Sequence, residues 1–152
     1  MACKTLIIDD EPLARIRMRS LLEAYPEDIE IVGEASSAMQ AVEKIKELKP
    51  DLVFLDIQLP DKNAFEMLQE IQDEDFFIVF TTAYDNYALN SFEEDVVDYL
   101  LKPIAEERLQ KTIEKIRALR PSVTQEPIGP FWEKLNQVLA RFSNQYMQRI
   151  QV

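Results

Sequence analysis

The 152-residue chain has no histidine, one cysteine (Cys3) and only two glycines. Without histidine and with a lone cysteine there is no intramolecular disulfide, no thiolate or imidazole zinc site, and no histidine-dependent catalytic triad. Long apolar runs are also missing. Met1-Ala2-Cys3-Lys4-Thr5 leads straight into a strand-like run, so neither a signal peptide nor a membrane span is expected, and a cytoplasmic location is. Bases are scarce: the net charge is -11, with 26 acids against 14 bases in residues 1–120 and two against three in 121–152. So acidic a body repels a phosphate backbone, and DNA contact would require a separate basic module. What remains is carboxylate, hydroxyl and lysine chemistry. A hydrophobic content of 47% fills an ordinary core, and the length suits one domain with an extension.

Strand-like and helix-like segments alternate over the first 120 residues, as in a parallel sheet covered on both faces. Strands are expected at Lys4–Ile8, Ile29–Ala35, Leu52–Leu55, Phe76–Thr81 and Val97–Leu101. Ala14, Met18, Leu21, Leu22 and Tyr25 recur at helical spacing behind Pro12, which suits a first-turn position. Ser36 or Ser37 caps a second helix with Ala38, Val42, Ile45 and Leu48 inward. A last helix from about Ala105 turns Leu109, Ile113, Ile116 and Leu119 inward. These stripes read as core faces. Strands one and three are apolar almost throughout, as buried central strands are, whereas strand two is mixed and belongs at an edge. The expected order is 2-1-3-4-5, with its switch point between strands one and three.

At the ends of these runs stand Asp9 and Asp10, Asp56, and Lys102-Pro103. In parallel strands these carboxyl ends share one edge of the sheet, where open α/β folds place ligands. Carboxylates packed there repel by roughly 4 kcal/mol per pair at about 4 Å and an effective dielectric of about 20, so the cluster calls for a cation. Oxygen ligands of this kind suit Mg²⁺, which retains waters and favours a phosphate partner. Singly, each residue has a plain alternative: a helix-start acidic pair before Pro12, a strand-end solvating charge, or a surface lysine before a turn proline. Their joint occurrence at separate strand ends favours a site.

In these residues the chain resembles a bacterial response-regulator receiver domain over residues 1 to about 120. Asp9 and Asp10 resemble its acidic pair, and Asp56 its phospho-acceptor within Asp56-Ile57-Gln58-Leu59-Pro60. Thr82 before Ala83 resembles its hydroxyl, although Thr81-Thr82 leaves the strand phase open by one residue. Lys102-Pro103 resembles its lysine and cis-proline. Asp9 to Arg15, Phe80 to Leu89 and Asp98 to Pro103 are similar to the LytR/AlgR (LytTR) group, whose members carry a C-terminal DNA-binding domain.

The resemblance implies a flavodoxin-like (CheY-like) doubly wound fold and a phospho-accepting switch with at most slow autodephosphorylation, not an enzyme. A sensor histidine kinase or small donor would phosphorylate Asp56. Asp10 and Asp56 would ligate Mg²⁺ directly, Gln58 through its backbone carbonyl, and Asp9 partly through water. Lys102 and Thr82 would each hold a phosphoryl oxygen. Displacement of Thr82 would let Tyr99, the switch aromatic, rotate inward, with homodimerisation through the face of helix four, strand five and helix five. Tyr99 as an ordinary core aromatic is the plainer alternative. Gln58 and Tyr84 flank the path of attacking water and would tune the lifetime of the phosphoryl group, with Tyr84 shielding it.

Residues 121–130, with three prolines and Gly129, read as a linker. Phe131, Trp132, Leu135, Val138, Leu139 and Phe142 line one face of a following helix, which either pairs with a copy of itself or folds back. Tyr146 to Val152 resembles the opening of a truncated LytTR domain, through which alone DNA would be bound. After Pro60, receivers commonly place Asp-Gly, whereas Asp61-Lys62-Asn63 stands here; the missing glycine removes easy access to positive φ, which Asn63 tolerates better than most residues. Three other readings stand beside this one. In a haloacid-dehalogenase-type phosphohydrolase the second acid would fall at Gln58, which cannot serve. A phosphorylation-independent binding module would lack pocket residues, and none is missing. A stand-alone single-domain receiver would end without an output domain.

Overall fold

The computed structural model describes residues 2–83 and 96–125, with side chains described through residue 119. Five strands, β1 (Cys3–Ile8), β2 (Ile29–Ala35), β3 (Leu52–Asp56), β4 (Phe77–Thr82) and β5 (Asp98–Leu101), form one parallel sheet in the order β2-β1-β3-β4-β5. The helices are α1 (Pro12–Leu22), α2 (Ala38–Leu48), α3 (Ala64–Gln69) and α4 (Glu106–Gln125). Helix four of the sequence expectation falls on residues 84–95, outside the described residues, so α4 here is the helix after β5. Tyr84 and residues 126–152, with the apolar stripe from Phe131 to Phe142, lie outside as well.

Two cores form because successive strand residues point to opposite faces. Leu6, Ile8, Val53, Leu55 and Phe80 meet α2 and α3 on one side; Ile7, Phe54, Val79 and Leu100 meet Met18 and Leu22 of α1 and Leu109, Ile113 and Ile116 of α4 on the other. With both faces covered, β1 and β3 have no polar side to show, which explains their unbroken apolar runs.

Helix starts are set by local chemistry. Pro12 opens α1, and Ser37, the second of the two candidate serines, caps α2 by accepting the Gln40 amide at 3.2 Å. The Ala38 and Met39 amides donate to the two carboxylate oxygens of Asp61 at 2.8 and 2.9 Å, so the loop after β3 is pinned to the start of α2. In α3, Asn63 and Glu66 form a reciprocal capping box. One expectation is corrected. Asn63 has φ -77°, and Lys49 is the only described residue at positive φ, so this loop is built without the conformation a glycine would supply. The helix α4 spans Glu106–Gln125, so it covers the first half of the stretch read as linker.

Asp98, fully buried in β5, ties that strand to α4. Its carboxylate accepts from Arg108 at 2.6 and 2.8 Å and from the Thr112 hydroxyl at 2.8 Å, while Arg108 also donates to the Tyr99 carbonyl at 3.1 Å. Burial alone would raise the acid's pKa, but the Arg108 and Thr112 hydrogen bonds win and hold it below the usual range. Its stabilisation is therefore complete above the unfolded value near 4 and is lost as pH falls through the lowered one. Asp98→Ala should cost about 2–4 kcal/mol, under the roughly 3–5 typical of breaking a fully buried pair because Arg108 keeps some access to water. Urea unfolding checks this, and a shift below about 0.5 kcal/mol, the scale of an ordinary surface change, would contradict it.

Candidate functional site

Sheet register brings the acids and the lysine together. Ile8 pairs with Leu55, so the next residues, Asp9 and Asp56, stand level at the carboxyl ends of β1 and β3. Asp56 pairs with Thr81, and Thr82 with Leu101, which puts Thr82 and Lys102 at the same edge. The lysine reaches back across it: its Nζ lies 2.6 Å from Asp9 Oδ2 and 3.2 Å from Asp56 Oδ2. The Lys102–Pro103 bond is cis.

The backbone holds both acids as well. Glu11 N–H donates to Asp9 Oδ1 at 2.9 Å, and Gln58 N–H donates to Asp56 Oδ1 at 3.2 Å. Asp9 and Asp56 are buried, whereas Asp10 is exposed. Burial first, and then the neighbouring Asp9 charge, push the Asp56 pKa up to about 6 against the opposing pull of Lys102. Lys102 moves the other way from what its own burial would impose: the Asp9 hydrogen bond and the Asp56 charge raise its pKa.

Above these groups opens a cavity of about 330 Å³ lined by Asp10, Asp56, Gln58, Thr82, Ala83 and Lys102. Thr81 lines a neighbouring cavity of about 220 Å³ beneath α1, together with Asp9 and Lys102, whereas Thr82 shares its cavity with Asp56. Tyr99 is half-buried on β5, packed against the α2–α3 core. The expected site residues other than Tyr84 are therefore placed: Asp10, Asp56, Gln58, Thr82 and Lys102 around one opening, Asp9 beside it through Lys102, and Tyr99 on β5.

Two residues join them that the sequence reading assigned no role. Glu11 brings a carboxylate oxygen within 4.8 Å of those of Asp9 and Asp10, a group to which Asp56 does not belong. Its position directly after the acidic pair was the available signal. Arg15 donates from Nη1 to the Asp9 carbonyl at 2.5 Å, and only the turn into α1 reveals that reach. The donor set here is all carboxylate oxygen and has no nitrogen or sulfur ligand, which fits a hard divalent cation such as Mg²⁺. No described helix is long and apolar enough to cross a membrane.

Comparison with known proteins agrees with this geometry. The response regulator receiver domain model matches residues 5–114. Transcriptional regulatory protein BtsR of Salmonella typhimurium is 50% identical over 118 residues, which are 77% of this chain and 49% of that protein. Sensory transduction protein LytT of Bacillus anthracis is 48% identical over 122 residues, 78% of this chain and 49% of that one. The chain thus spans about half the length of the curated relatives it matches. Among solved structures, the REC domain of AraT from Geobacillus stearothermophilus superposes with a TM-score of 0.72 at 26% identity, covering 82% of this chain and all of that one. The receiver of mrkE from Klebsiella pneumoniae gives 0.65 at 30% identity, covering 83% and 100%. Sheet order, the register of the site and a family match over most of the chain agree, and the protein belongs to the response regulator receiver family of two-component systems.

Proposed function

We propose that the chain is the input half of a transcription regulator: Asp56 accepts a phosphoryl group in a Mg²⁺-dependent reaction, and the change switches a C-terminal DNA-binding output domain. One observation carries the reading: Lys102 Nζ bridges Asp9 and Asp56 beside a cavity that Lys102 and Asp56 line. An Asp56 oxygen attacks phosphorus in line, the bond from phosphorus to the donor breaks, and its electron pair leaves with the donor, the imidazole of a kinase histidine or the acetate of acetyl phosphate. With a pKa of about 6, Asp56 is mostly ionised at neutral pH and needs no base. Asp9, Asp10 and Asp56 would hold Mg²⁺, with Gln58 contributing its carbonyl, and the metal would offset charge on the transferring group. Lys102 takes one phosphoryl oxygen and the Thr82 hydroxyl another.

Downstream, movement of Thr82 biases Tyr99, and the Arg108 contact to the Tyr99 carbonyl passes the change to α4. Dimerisation through the β5–α4 face, together with the helix expected before β5, would then pair two output domains of the LytTR type. The names of BtsR as a transcriptional regulatory protein and of LytT as a sensory transduction protein support such an output, and a sensor histidine kinase is the upstream partner the family implies for this domain, acting in the cytoplasm.

Intact mass after incubation with Mg²⁺ and acetyl phosphate tests the reading. A gain of one phosphoryl group, abolished in Asp56→Asn, is expected. No gain with any donor would favour a binding module, and catalytic turnover of phosphate esters would favour an enzyme.

A further inference from the structure

Asp9 is gripped at every polar atom. Its N–H donates to the Ala35 carbonyl of β2 at 3.0 Å, its Oδ1 accepts from Glu11 N–H, its Oδ2 meets Lys102, and its carbonyl accepts from Arg15 Nη1. The first three follow from the sheet and the site. The fourth needs a long side chain aimed backwards from the first turn of α1, and that side chain is itself held: Arg15 Nε donates to Glu34 Oε1 at 3.2 Å. Arg19, one turn further on, binds the other Glu34 oxygen at 2.6–2.8 Å. Glu34 directly precedes Ala35 in β2, so the strand that takes the Asp9 amide also anchors the arginine that takes the Asp9 carbonyl.

We propose that Arg15, oriented by Glu34, is a positioning residue for metal binding: it fixes the β1–α1 turn so that Asp9 and Asp10 present their carboxylates together. The fork of the guanidinium suits this task because Nε and Nη1 serve two acceptors at once, which a lysine ammonium on a flexible stem cannot reproduce with the same geometry. The inference rests on the Mg²⁺-dependent reading above.

Charge and geometry predict opposite signs for one substitution. Arg15 is a cation beside the acidic group, so if it acted only through charge, Arg15→Ala would tighten Mg²⁺ binding. As a positioning residue its loss should weaken binding about tenfold, the lower end of what supporting residues around metal ligands contribute. The test titrates Mg²⁺ into the wild type, Arg15→Ala and Arg15→Lys, following amide chemical shifts and, separately, phosphoryl uptake from acetyl phosphate.

Both variants should bind Mg²⁺ about tenfold more weakly, with phosphoryl uptake restored towards wild type at saturating Mg²⁺. A merely structural role would lower the unfolding midpoint and leave the metal affinity of the folded protein unchanged. Unchanged or tighter binding in folded Arg15→Ala overturns the inference, as does full affinity in Arg15→Lys, which decides the matter where the alanine variant does not fold. If the wild type neither binds Mg²⁺ nor gains a phosphoryl group, the functional reading itself falls. If it does both and the variants match it, the positioning role alone falls.

Discussion

Lys102→Ala should slow phosphoryl uptake by Asp56 roughly 100- to 1,000-fold, the usual loss when one preorganised group facing developing charge is removed. The same change should raise affinity for Mg²⁺. In the metal-free protein Lys102 is the cation that holds Asp9 and Asp56 side by side, at 2.6 and 3.2 Å. Both acids are almost fully buried, so without the lysine their repulsion and desolvation are opposed by the Glu11 and Gln58 amides and the more distant charge of Arg15, none of which bridges the two carboxylates. Breaking a buried ionic group in this way typically costs about 3–5 kcal/mol. The Asp56 pKa, already pushed up to about 6, should climb further. A divalent ion relieves the same repulsion, so added Mg²⁺ should stabilise Lys102→Ala more than wild type. It should not restore the transfer rate, because the place proposed for the lysine beside a phosphoryl oxygen would stay empty. Unfolding midpoints with Mg²⁺ or EDTA, beside time courses of intact mass with acetyl phosphate, separate the two effects. An uptake rate within a few-fold of wild type at saturating Mg²⁺ would remove Lys102 from the transfer step.

The parts of this arrangement visible in the sequence were those governed by backbone periodicity. β1 and β3 are buried on both faces, and their apolar runs end at Asp9 and Asp56, so strand order and the line of acids could be read directly. Helices α1 and α2 declared themselves by apolar spacing behind Pro12 and Ser37. α3 did not: six residues are too few for a period, and its one local signal was the Asn63–Glu66 capping pair. Side-chain reach was also hidden. Asp98 lies in an apolar run and looks like a strand-end charge, yet it is the buried hub for Arg108 and Thr112. Arg15 and Glu34 are 19 residues apart and on different elements, and only the fold brings them to Asp9. For the Thr81–Thr82 ambiguity the register with β5 was needed, and the cavity that Thr82, not Thr81, shares with Asp56.

In EDTA at neutral pH, Asp56→Asn should make the protein more stable, although it abolishes the proposed chemistry. The sign follows from linkage. Asp56 has a pKa of about 6 in the folded protein and about 3.9 unfolded, so between those values the folded state binds the extra proton. Stability of the wild type therefore falls as pH rises from about 4 to about 6 and stays lower above that. Two units at about 1.4 kcal/mol each set a ceiling near 3 kcal/mol. Asparagine resembles the neutral carboxyl in shape and carries no charge, so it escapes that loss. It leaves Lys102 with Asp9 alone, which trims the gain to about 1–2 kcal/mol. The difference should be close to zero near pH 4, grow through pH 5–6 and level off above 7. Denaturant unfolding across that range checks it, and a difference independent of pH would mean that ionised Asp56 is not the strained group. Added Mg²⁺ should narrow the gap, because it stabilises the folded wild type by mass action and binds the variant less well. Ionised Asp56 is thus a form the fold tolerates poorly, and under the proposed function the same strain would favour capture of a cation and then of a phosphoryl group.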